Sequence, residues 1–162
     1  MSNPTTLRRL LCLLLPAFAS LPALATQTTI PGMMCMSESS SVDRPTSGAL
    51  INTNAVSGTT KFRCPIIRTW PVGGIPVTMT VYIFAKTNYN SAQFGCTLRS
   101  VDSMGETYHS ADVIFPADNT YRWSGVNVIL PPNTSASVHL RCNVPNVYAS
   151  SQAGILALRI DD

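Results

Sequence analysis

Apolar and polar residues alternate along most of the chain beyond residue 46, which is the pattern of strands that bury one face. The clearest run covers residues 77–84, where aliphatic residues or Met occupy every second position. Comparable runs predict strands at residues 62–66, 94–98, 107–115, 123–130, 138–142 and 155–160, with a shorter strand at 49–53. Because no window of residues 26–162 has the apolar period of an amphipathic helix, the pattern predicts an all-β protein.

The segments between these runs have the composition of turns. Pro, Gly, Asn and Ser cluster at residues 71–74, 88–91, 104–105, 116–119, 131–134 and 143–152. Seven or eight strands at this spacing predict a single disulfide-linked β-sandwich over residues 47–162, with immunoglobulin-like and jelly-roll topologies both open. Residues 26–46 lack the alternation, so we expect an irregular N-terminal segment there.

The first 25 residues contain the three parts of a secretory signal peptide. Arg8 and Arg9 precede a short run of Leu, and residues 23–25, Ala-Leu-Ala, have the form of a cleavage site. The apolar run is shorter than the ~20 residues that a membrane-spanning helix needs, and two prolines interrupt it. We therefore predict a signal peptide at residues 1–25, export to the periplasm or the medium, and no stable membrane insertion.

Charge is sparse and nearly balanced. Charged residues make up 12% of the chain, about half of the usual ~25%. Arg8 and Arg9 account for two of the 11 basic residues, so residues 26–162 carry nine basic and eight acidic residues, a formal charge of +1. A chain so close to neutral lacks the basic footprint of proteins that bind DNA or RNA, so we expect no nucleic-acid partner.

Four cysteines remain after the predicted cleavage, Cys35, Cys64, Cys96 and Cys142. An even number in an exported chain predicts two disulfides, and the absence of a C-x-x-C pair argues against a zinc site. Of the three possible pairings we favour Cys35–Cys64, which would tether the N-terminal segment to a strand, and Cys96–Cys142, which would join two strands. We expect no metal ion and no cofactor.

Three short motifs surround these cysteines: Cys-Pro-Ile-Ile-Arg at 64–68, Cys-Thr-Leu at 96–98, and Leu-Arg-Cys-Asn-Val-Pro at 140–145. In this order they resemble a group of small secreted bacterial four-cysteine β proteins of uncharacterised function, which carry C-P-I-x-R, C-T-L and L-x-C-x-x-P. The resemblance covers residues 47–162. It implies secretion and a disulfide-linked β-fold, and it implies no activity. The terminal strand departs from that group's aromatic-rich strand, since residues 157–160 read Ala-Leu-Arg-Ile.

Groups that could catalyse a reaction are few. A Ser-His-Asp set could be drawn from His109 with Asp112 or Asp102, but no G-x-S-x-G elbow supports it. We expect His109 and His139 at outward polar positions of strands. Asp102 and Glu106 flank a turn but lack the D-x-D-x-D-G pattern of a calcium loop. These observations predict a non-catalytic protein.

Aromatic residues form the most distinctive candidate site. Tyr121 and Trp123 are two residues apart, so they share one face of a strand, and Trp70 ends a strand before a Pro/Gly turn. Aromatic rings on a sheet face can stack on sugar rings, and Asp118, Asn119 and Arg122 are candidates to bind the hydroxyl groups. The alternative is that Trp70 and Trp123 pack in the core or at its edge.

Together these features favour a secreted or periplasmic, non-catalytic β-sandwich protein. The expected partner is a polysaccharide, a cell surface or an extracellular protein. Two alternatives stay open. The first is a structural or assembly subunit that exchanges a strand from residues 26–36. The second is an inhibitor of a secreted enzyme that acts through the loop at residues 70–76.

Overall fold

Eleven strands and one turn of 3-10 helix make up the described part of the chain. The computed structural model describes residues 27–38, 42–43, 48–55, 58–66, 76–89, 93–102, 104–132 and 137–161. The 3-10 helix is Gly32–Met34. The strands are β1 (Gln27–Pro31), β2 (Met36–Ser37), β3 (Val42–Asp43), β4 (Leu50–Asn52), β5 (Thr59–Pro65), β6 (Val77–Lys86), β7 (Phe94–Val101), β8 (Thr107–Phe115), β9 (Tyr121–Leu130), β10 (Ser137–Pro145) and β11 (Ala153–Asp161). No helix among these residues has the length and apolar character to cross a membrane.

The strands form two antiparallel sheets. Sheet I has the order β3-β4-β11-β6-β9, and β1 pairs with the C-terminal part of β11. Sheet II has the order β2-β5-β10-β7-β8. From β4 to β11 the chain visits the sheets in the order I, II, I, II, II, I, II, I, which is the double Greek key of a jelly roll. The predicted β-sandwich is confirmed, and the jelly roll replaces the immunoglobulin-like alternative.

The core lies between the sheets and consists of every second residue of the long strands. On β6, Met79, Val81 and Ile83 are fully buried, while the residues between them remain accessible. Leu98 of β7 and Leu140 of β10 belong to the same apolar cluster from the side of sheet II. Removal of these side chains from water is the main favourable contribution to folding, and it fixes which face of each strand points inward.

Both disulfides are buried in this core. Cys96 and Cys142 lie directly opposite each other on β7 and β10, so this bridge joins two strands of sheet II. Cys35 and Cys64 connect the segment between β1 and β2 to β5. The structure therefore contains the two pairings that the sequence favoured. On the chain-entropy account, closing loops of 29 and 46 residues stabilises the fold by roughly 3–4 kcal/mol each.

The N-terminal segment contains strands that its sequence pattern did not indicate. We expected residues 26–46 to be irregular, but β1 pairs with β11 along its whole length, and β2 and β3 extend the edges of the two sheets. Ile30 is the only buried residue of β1, so an edge strand of this kind produces no alternation. Gly32, which follows it, approaches β11 so closely that a Cβ would lie 1.9 Å from the carbonyl oxygen of Ile155.

A buried polar cluster closes one end of the sandwich. The Asn52 amide, at the end of β4, donates to the carbonyl oxygens of Val144 (3.0 Å) and Pro145 (3.1 Å) and to Oδ1 of Asn146 (2.8 Å). The Thr60 hydroxyl donates to the same Asn146 oxygen at 3.0 Å. Because an unpaired polar group would be costly at this depth, these hydrogen bonds hold the last residues of β10 and Asn146 on the end of β4.

Candidate functional site

Two aromatic side chains of β9 point away from the core. On this strand Val126, Val128 and Leu130 are buried, and the residues between them are exposed. The same alternation places Tyr121 and Trp123 on the outer face of sheet I, where they are 58% and 46% exposed. Trp123 therefore does not lie in the core, which was one of the two positions that the alternative gave it.

β6 supplies their aromatic neighbour. Phe84 lies directly opposite Trp123 in the antiparallel pairing, and the two rings stack with 4.9 Å between centroids and 18° between planes. The Tyr121 ring is tilted against Phe84 by 39° at 6.3 Å. The Lys86 ammonium lies 5.6 Å from the centre of the Tyr121 ring. The register of two strands thus brings three aromatic rings into contact with one another on the outer face of sheet I.

A cation from β11 completes this surface. The pairing of β11 with β6 is irregular after Ile155, and beyond that point Arg159 lies on the outward side of the strand. Its guanidinium is 4.2 Å from the centre of the Tyr82 ring and 5.7 Å from that of Trp123, distances at which a cation is attracted to a ring face. We call this set the aromatic platform; it consists of Tyr82, Phe84, Tyr121, Trp123 and Arg159.

A glycine on β9 leaves room for the Tyr82 ring. Gly125 is directly opposite Tyr82, and a Cβ at this position would lie 3.0 Å from Cε1 and 3.1 Å from Cδ1 of the tyrosine. The ring therefore rests against the backbone of β9, with the Arg159 guanidinium on it from the side of β11. A glycine inside a strand often marks such a close approach.

The turn that leads into β9 holds the polar candidate Asp118 in a dense set of hydrogen bonds. Its Oδ1 accepts from the hydroxyls of Thr87 and Thr120, both at 2.8 Å, and its Oδ2 forms a salt bridge with Arg122. The Thr87 and Thr120 hydroxyls, and then the Arg122 guanidinium, hold the pKa of Asp118 below its ordinary value. These contacts fix the backbone of the turn that ends at Thr120, immediately before Tyr121.

The other predicted site residues fall in different places. Asn119 has a left-handed backbone conformation (φ 55°), and its Oδ1 accepts a hydrogen bond from the Ser151 hydroxyl. Like Asp118, it therefore shapes the turn at the end of sheet I. Trp70 lies outside the described residues.

Sequence reasoning missed three members of the platform, Tyr82, Phe84 and Arg159. Tyr82 and Phe84 alternate with the buried residues of β6, so they lie on its outer face. This outward orientation could have been predicted from the sequence pattern. Arg159 carried no such signal, because its proximity to Trp123 depends on which strands are neighbours in the sheet.

In the described part of the chain, His109 and Asp112 of the candidate catalytic set are not brought together. His139 is exposed on β10, as expected, but the prediction for His109 is wrong. His109 is half-buried on the same side of β8 as Ala111 and Val113, and its Nδ1 is buried without a hydrogen-bond partner in the described part of the chain. Asp112 is on the opposite side of the strand, so it does not form a dyad with His109.

The acidic turn also has a structural role. The Asp102 carboxylate accepts hydrogen bonds from the backbone N–H groups of Met104 and Glu106, both at 2.9 Å. This arrangement stabilises the turn between β7 and β8. Across the described ranges, no group of three or more His, Cys, Asp or Glu side chains is placed to hold a metal ion.

Comparison with known structures relates the fold to carbohydrate-binding modules. CBM35 from Cellvibrio japonicus Abf62 superposes with a TM-score of 0.51 at 16% identity, covering 83% of this chain and 92% of the module. The C-terminal CBM6 of LamC, a marine laminarinase from Zobellia galactanivorans, gives 0.50 at 12% identity, covering 85% of this chain and 100% of the module.

The same fold also occurs inside a larger enzyme. The enzymatically active domain of tailspike protein 4 from bacteriophage CBA120 superposes with a TM-score of 0.53 at 14% identity, over 83% of this chain. The chain spans only 19% of that protein. No protein-family model matches the sequence, and no curated protein sequence is similar to it. At these identities the likeness concerns the fold, and the chain shares the β-sandwich of these modules.

Proposed function

We propose that this protein is a non-catalytic glycan-binding protein and that it binds sugar rings on the aromatic platform. The observation that carries the proposal is the pair of exposed aromatics, Tyr121 and Trp123, on one face of sheet I beside Phe84. The sandwich fold shared with carbohydrate-binding modules of families 6 and 35 supports it.

The chemistry of the platform suits a sugar. An aromatic ring offers a flat apolar surface with a negative π face, and the C–H face of a pyranose is its natural complement. Arg159 supplies N–H donors beside Trp123, while Asp161, whose Oδ1 is 3.3 Å from the Arg159 Nε, supplies acceptors for hydroxyl groups. Apolar stacking and a few placed polar groups are the two elements of a selective small-ligand site.

The Asp118 turn acts on this site indirectly. Its carboxylate is engaged by two threonines and Arg122, so we assign it to positioning the start of β9 rather than to contact with the ligand. Residues 116–120 therefore hold Tyr121 at the edge of the platform. Asn119, whose Oδ1 accepts from Ser151, connects the same turn to the segment after β10.

The alternative of a strand-exchange subunit receives less support. The segment that such a subunit would donate includes β1, which already pairs with β11 of the same chain. The loop that an inhibitor would use is residues 70–76, and all of it except Pro76 lies outside the described residues. Two disulfides are typical of proteins that reach an oxidising compartment, and we propose that this chain is exported through residues 1–25 to the periplasm or the medium.

A binding screen tests the proposal. The purified, oxidised protein would be run through native gels that contain glucans, xylan, arabinan, mannan or galactan, and retained samples would be titrated by calorimetry. Trp123→Ala should weaken binding to the retaining polysaccharide by at least tenfold, because it removes the central ring of the platform. Tyr108→Ala is the matched control, since Tyr108 is a similarly exposed tyrosine (47%) on β8 of sheet II.

Two results would overturn the proposal. One is the absence of retention on every neutral polysaccharide. The other is retention that Trp123→Ala and Tyr108→Ala leave equally intact, since the ligand would then bind away from the platform.

A further inference from the structure

The outer face of sheet II concentrates positive charge. Lys61 and Arg63 of β5, Arg99 of β7, and His139 and Arg141 of β10 all occupy exposed outward positions. Four of the nine basic residues of the chain beyond residue 25 are therefore on one side of the sandwich. On the strands of this face the four Lys and Arg side chains outnumber the acidic ones, which are Asp112 of β8 and Glu38 next to β2; Asp102 and Glu106 lie in the turn between β7 and β8. We call the five basic residues the basic face.

The register of β10 with its two neighbours brings these side chains close together. Arg141 is directly opposite Arg63 on one side, and His139 is directly opposite Arg99 on the other. Like charges at opposed positions, such as those of Arg141 and Arg63, destabilise a sheet. Glu38 relieves this pair, because its Oε1 lies 2.8 Å from Arg63 Nη2 and 3.3 Å from Arg141 Nη2.

Glu38 is itself held in place by the edge of sheet II. Its backbone N–H donates to the carbonyl oxygen of Lys61 at 3.0 Å. Hydrogen bonding from Arg63, and the nearby charges of Arg141 and Lys61, hold the pKa of Glu38 below its ordinary value. In the described part of the chain, neither Lys61 nor Arg99 forms a salt bridge. The basic face thus retains two cations without a carboxylate partner.

These side chains border a groove rather than a closed pocket. A cavity of about 540 Å³ is lined by all five residues of the basic face. A second cavity of about 440 Å³, which includes Gly95 and Asp112, adjoins it because both are lined by Thr97 and Asn143. Hydroxyl and amide groups therefore continue the surface beyond the cations, as an extended chain of sugar units would require.

We propose that the basic face binds an anionic polysaccharide, through the carboxylate or sulfate groups that such a polymer carries along its length. This inference rests on the proposed function only in taking the polymer to be a glycan; its site is on the opposite sheet. Arg99 and Lys61 contact the acidic groups, and Thr97 and Asn143 contact sugar hydroxyls. Glu38 competes with the polymer for Arg63 and Arg141, so it limits the affinity.

Two observations favour a polysaccharide over a nucleic acid. Duplex DNA carries one negative charge per ~1.7 Å, which would force phosphates against Glu38 and Asp112. Single strands are bound by aromatic rings set among basic residues, whereas no described residue lining either cavity is aromatic. In a polysaccharide the anionic groups are more widely spaced. They can therefore bind the cations while sugar hydroxyl groups face the carboxylates of Glu38 and Asp112.

The test compares dextran sulfate with dextran, which have the same backbone with and without anionic groups. Binding to the purified, oxidised protein would be measured at two salt concentrations. Dextran sulfate should bind at least tenfold more tightly than dextran. The affinity for dextran sulfate should fall steeply at the higher salt concentration. Equal binding of the two polymers would overturn the proposal, as would tighter binding of a single-stranded DNA oligonucleotide.

Three substitutions locate the binding. Arg99→Gln should weaken dextran sulfate binding about tenfold, since it removes an unpaired cation from the groove. Glu38→Gln should strengthen it about threefold, because Arg63 and Arg141 lose their internal partner. Lys86→Gln is the matched control on sheet I and should change the affinity by less than about twofold; an effect equal to that of Arg99→Gln would indicate a response to net charge alone and would refute the proposal.

A fourth variant separates this proposal from the proposed function. Trp123→Ala should keep the salt-sensitive part of dextran sulfate binding, because the platform and the basic face are on different sheets. Loss of neutral-glycan binding in Trp123→Ala, with dextran sulfate still bound, would support both sites. Loss of dextran sulfate binding in the same variant would contradict the assignment to sheet II.

Discussion

Phe84 and Trp123 occupy directly opposed positions on β6 and β9, and their rings stack at 4.9 Å on the solvent side of sheet I. Aromatic pairs across two strands stabilise a sheet, and large aromatic side chains are highly buried on average. Here Trp123 remains almost half exposed. The pair therefore keeps a large ring in a fixed orientation at the surface, which is what a binding platform needs.

Replacing Phe84 by Leu tests how far the Phe84 ring supports Trp123 in binding the polysaccharide. Leu keeps the apolar bulk but removes the stacked ring, so Trp123 gains rotational freedom, and affinity for the retained polysaccharide should fall about threefold to tenfold. The free energy of unfolding should drop by no more than about 1.5 kcal/mol. Calorimetric titration and urea denaturation measure the two effects. Phe94→Leu is the control, since Phe94 packs on Phe115 in the core; it should lower stability and leave the glycan affinity unchanged.

Gly125→Ala should disturb the platform through Tyr82. The new Cβ would lie 3.0 Å from the tyrosine ring, so the ring must move, and the free energy of unfolding should fall by about 1 kcal/mol. Gly95→Ala is the matched change on β7, where the nearest atom to the new Cβ is 3.5 Å away, and it should have a smaller effect. In a Tyr82→Leu background the cost of Gly125→Ala should shrink; an unchanged cost in that double-mutant cycle would show that the ring is not what the alanine meets.

Removing either disulfide should destabilise the protein by a similar amount, but the two losses should affect different parts of the chain. Cys96→Ala/Cys142→Ala opens a bridge between two central strands of sheet II, and Cys35→Ala/Cys64→Ala releases the N-terminal segment from β5. Each loss should lower the free energy of unfolding by about 2–5 kcal/mol in urea denaturation. Limited proteolysis distinguishes them: only the second variant should become sensitive near residues 27–38 while the rest of the sandwich stays resistant. Early cleavage within β7 or β10 of that variant would contradict this division.

Asp118 should make stability depend on acid. Because its pKa in the folded protein is below its ordinary value of ~3.9, the carboxylate stabilises the fold above that pH, and this stabilisation is lost as the pH falls through the folded-state pKa. Asp118→Asn should therefore be less stable than the parent protein at pH 7, and the difference should shrink as the pH falls below the ordinary range of an aspartate and through the folded-state pKa. Thermal unfolding at several pH values measures this. A difference that is independent of pH would assign the effect to the lost hydrogen bonds with Thr87 and Thr120 rather than to the charge.

Much of the fold could be read from the sequence because it depends on a local signal. Burial of one strand face requires an apolar residue at every second position, so residues 77–84 predict both the strand β6 and its inward residues. The same phase predicts that Tyr121 and Trp123 share a face and that His139 points outward. The alternation did not predict β1, because this edge strand has only one buried residue. It also gave the wrong side for His109, a polar residue that lies on the inward side of β8.

What the sequence determined by itself is therefore which residues form strands and which side of each strand meets the core. Which strands become neighbours, and in what register, depended on the tertiary structure, because pairing joins residues that are far apart in the chain and leaves no local pattern. That register placed Phe84 beside Trp123 and Arg159 beside Tyr82. It also gathered Lys61, Arg99 and Arg141 on one sheet. The formal charge of +1 over residues 26–162 gave no sign of this, because a net charge adds up all the residues and does not show on which sheet the charged ones lie.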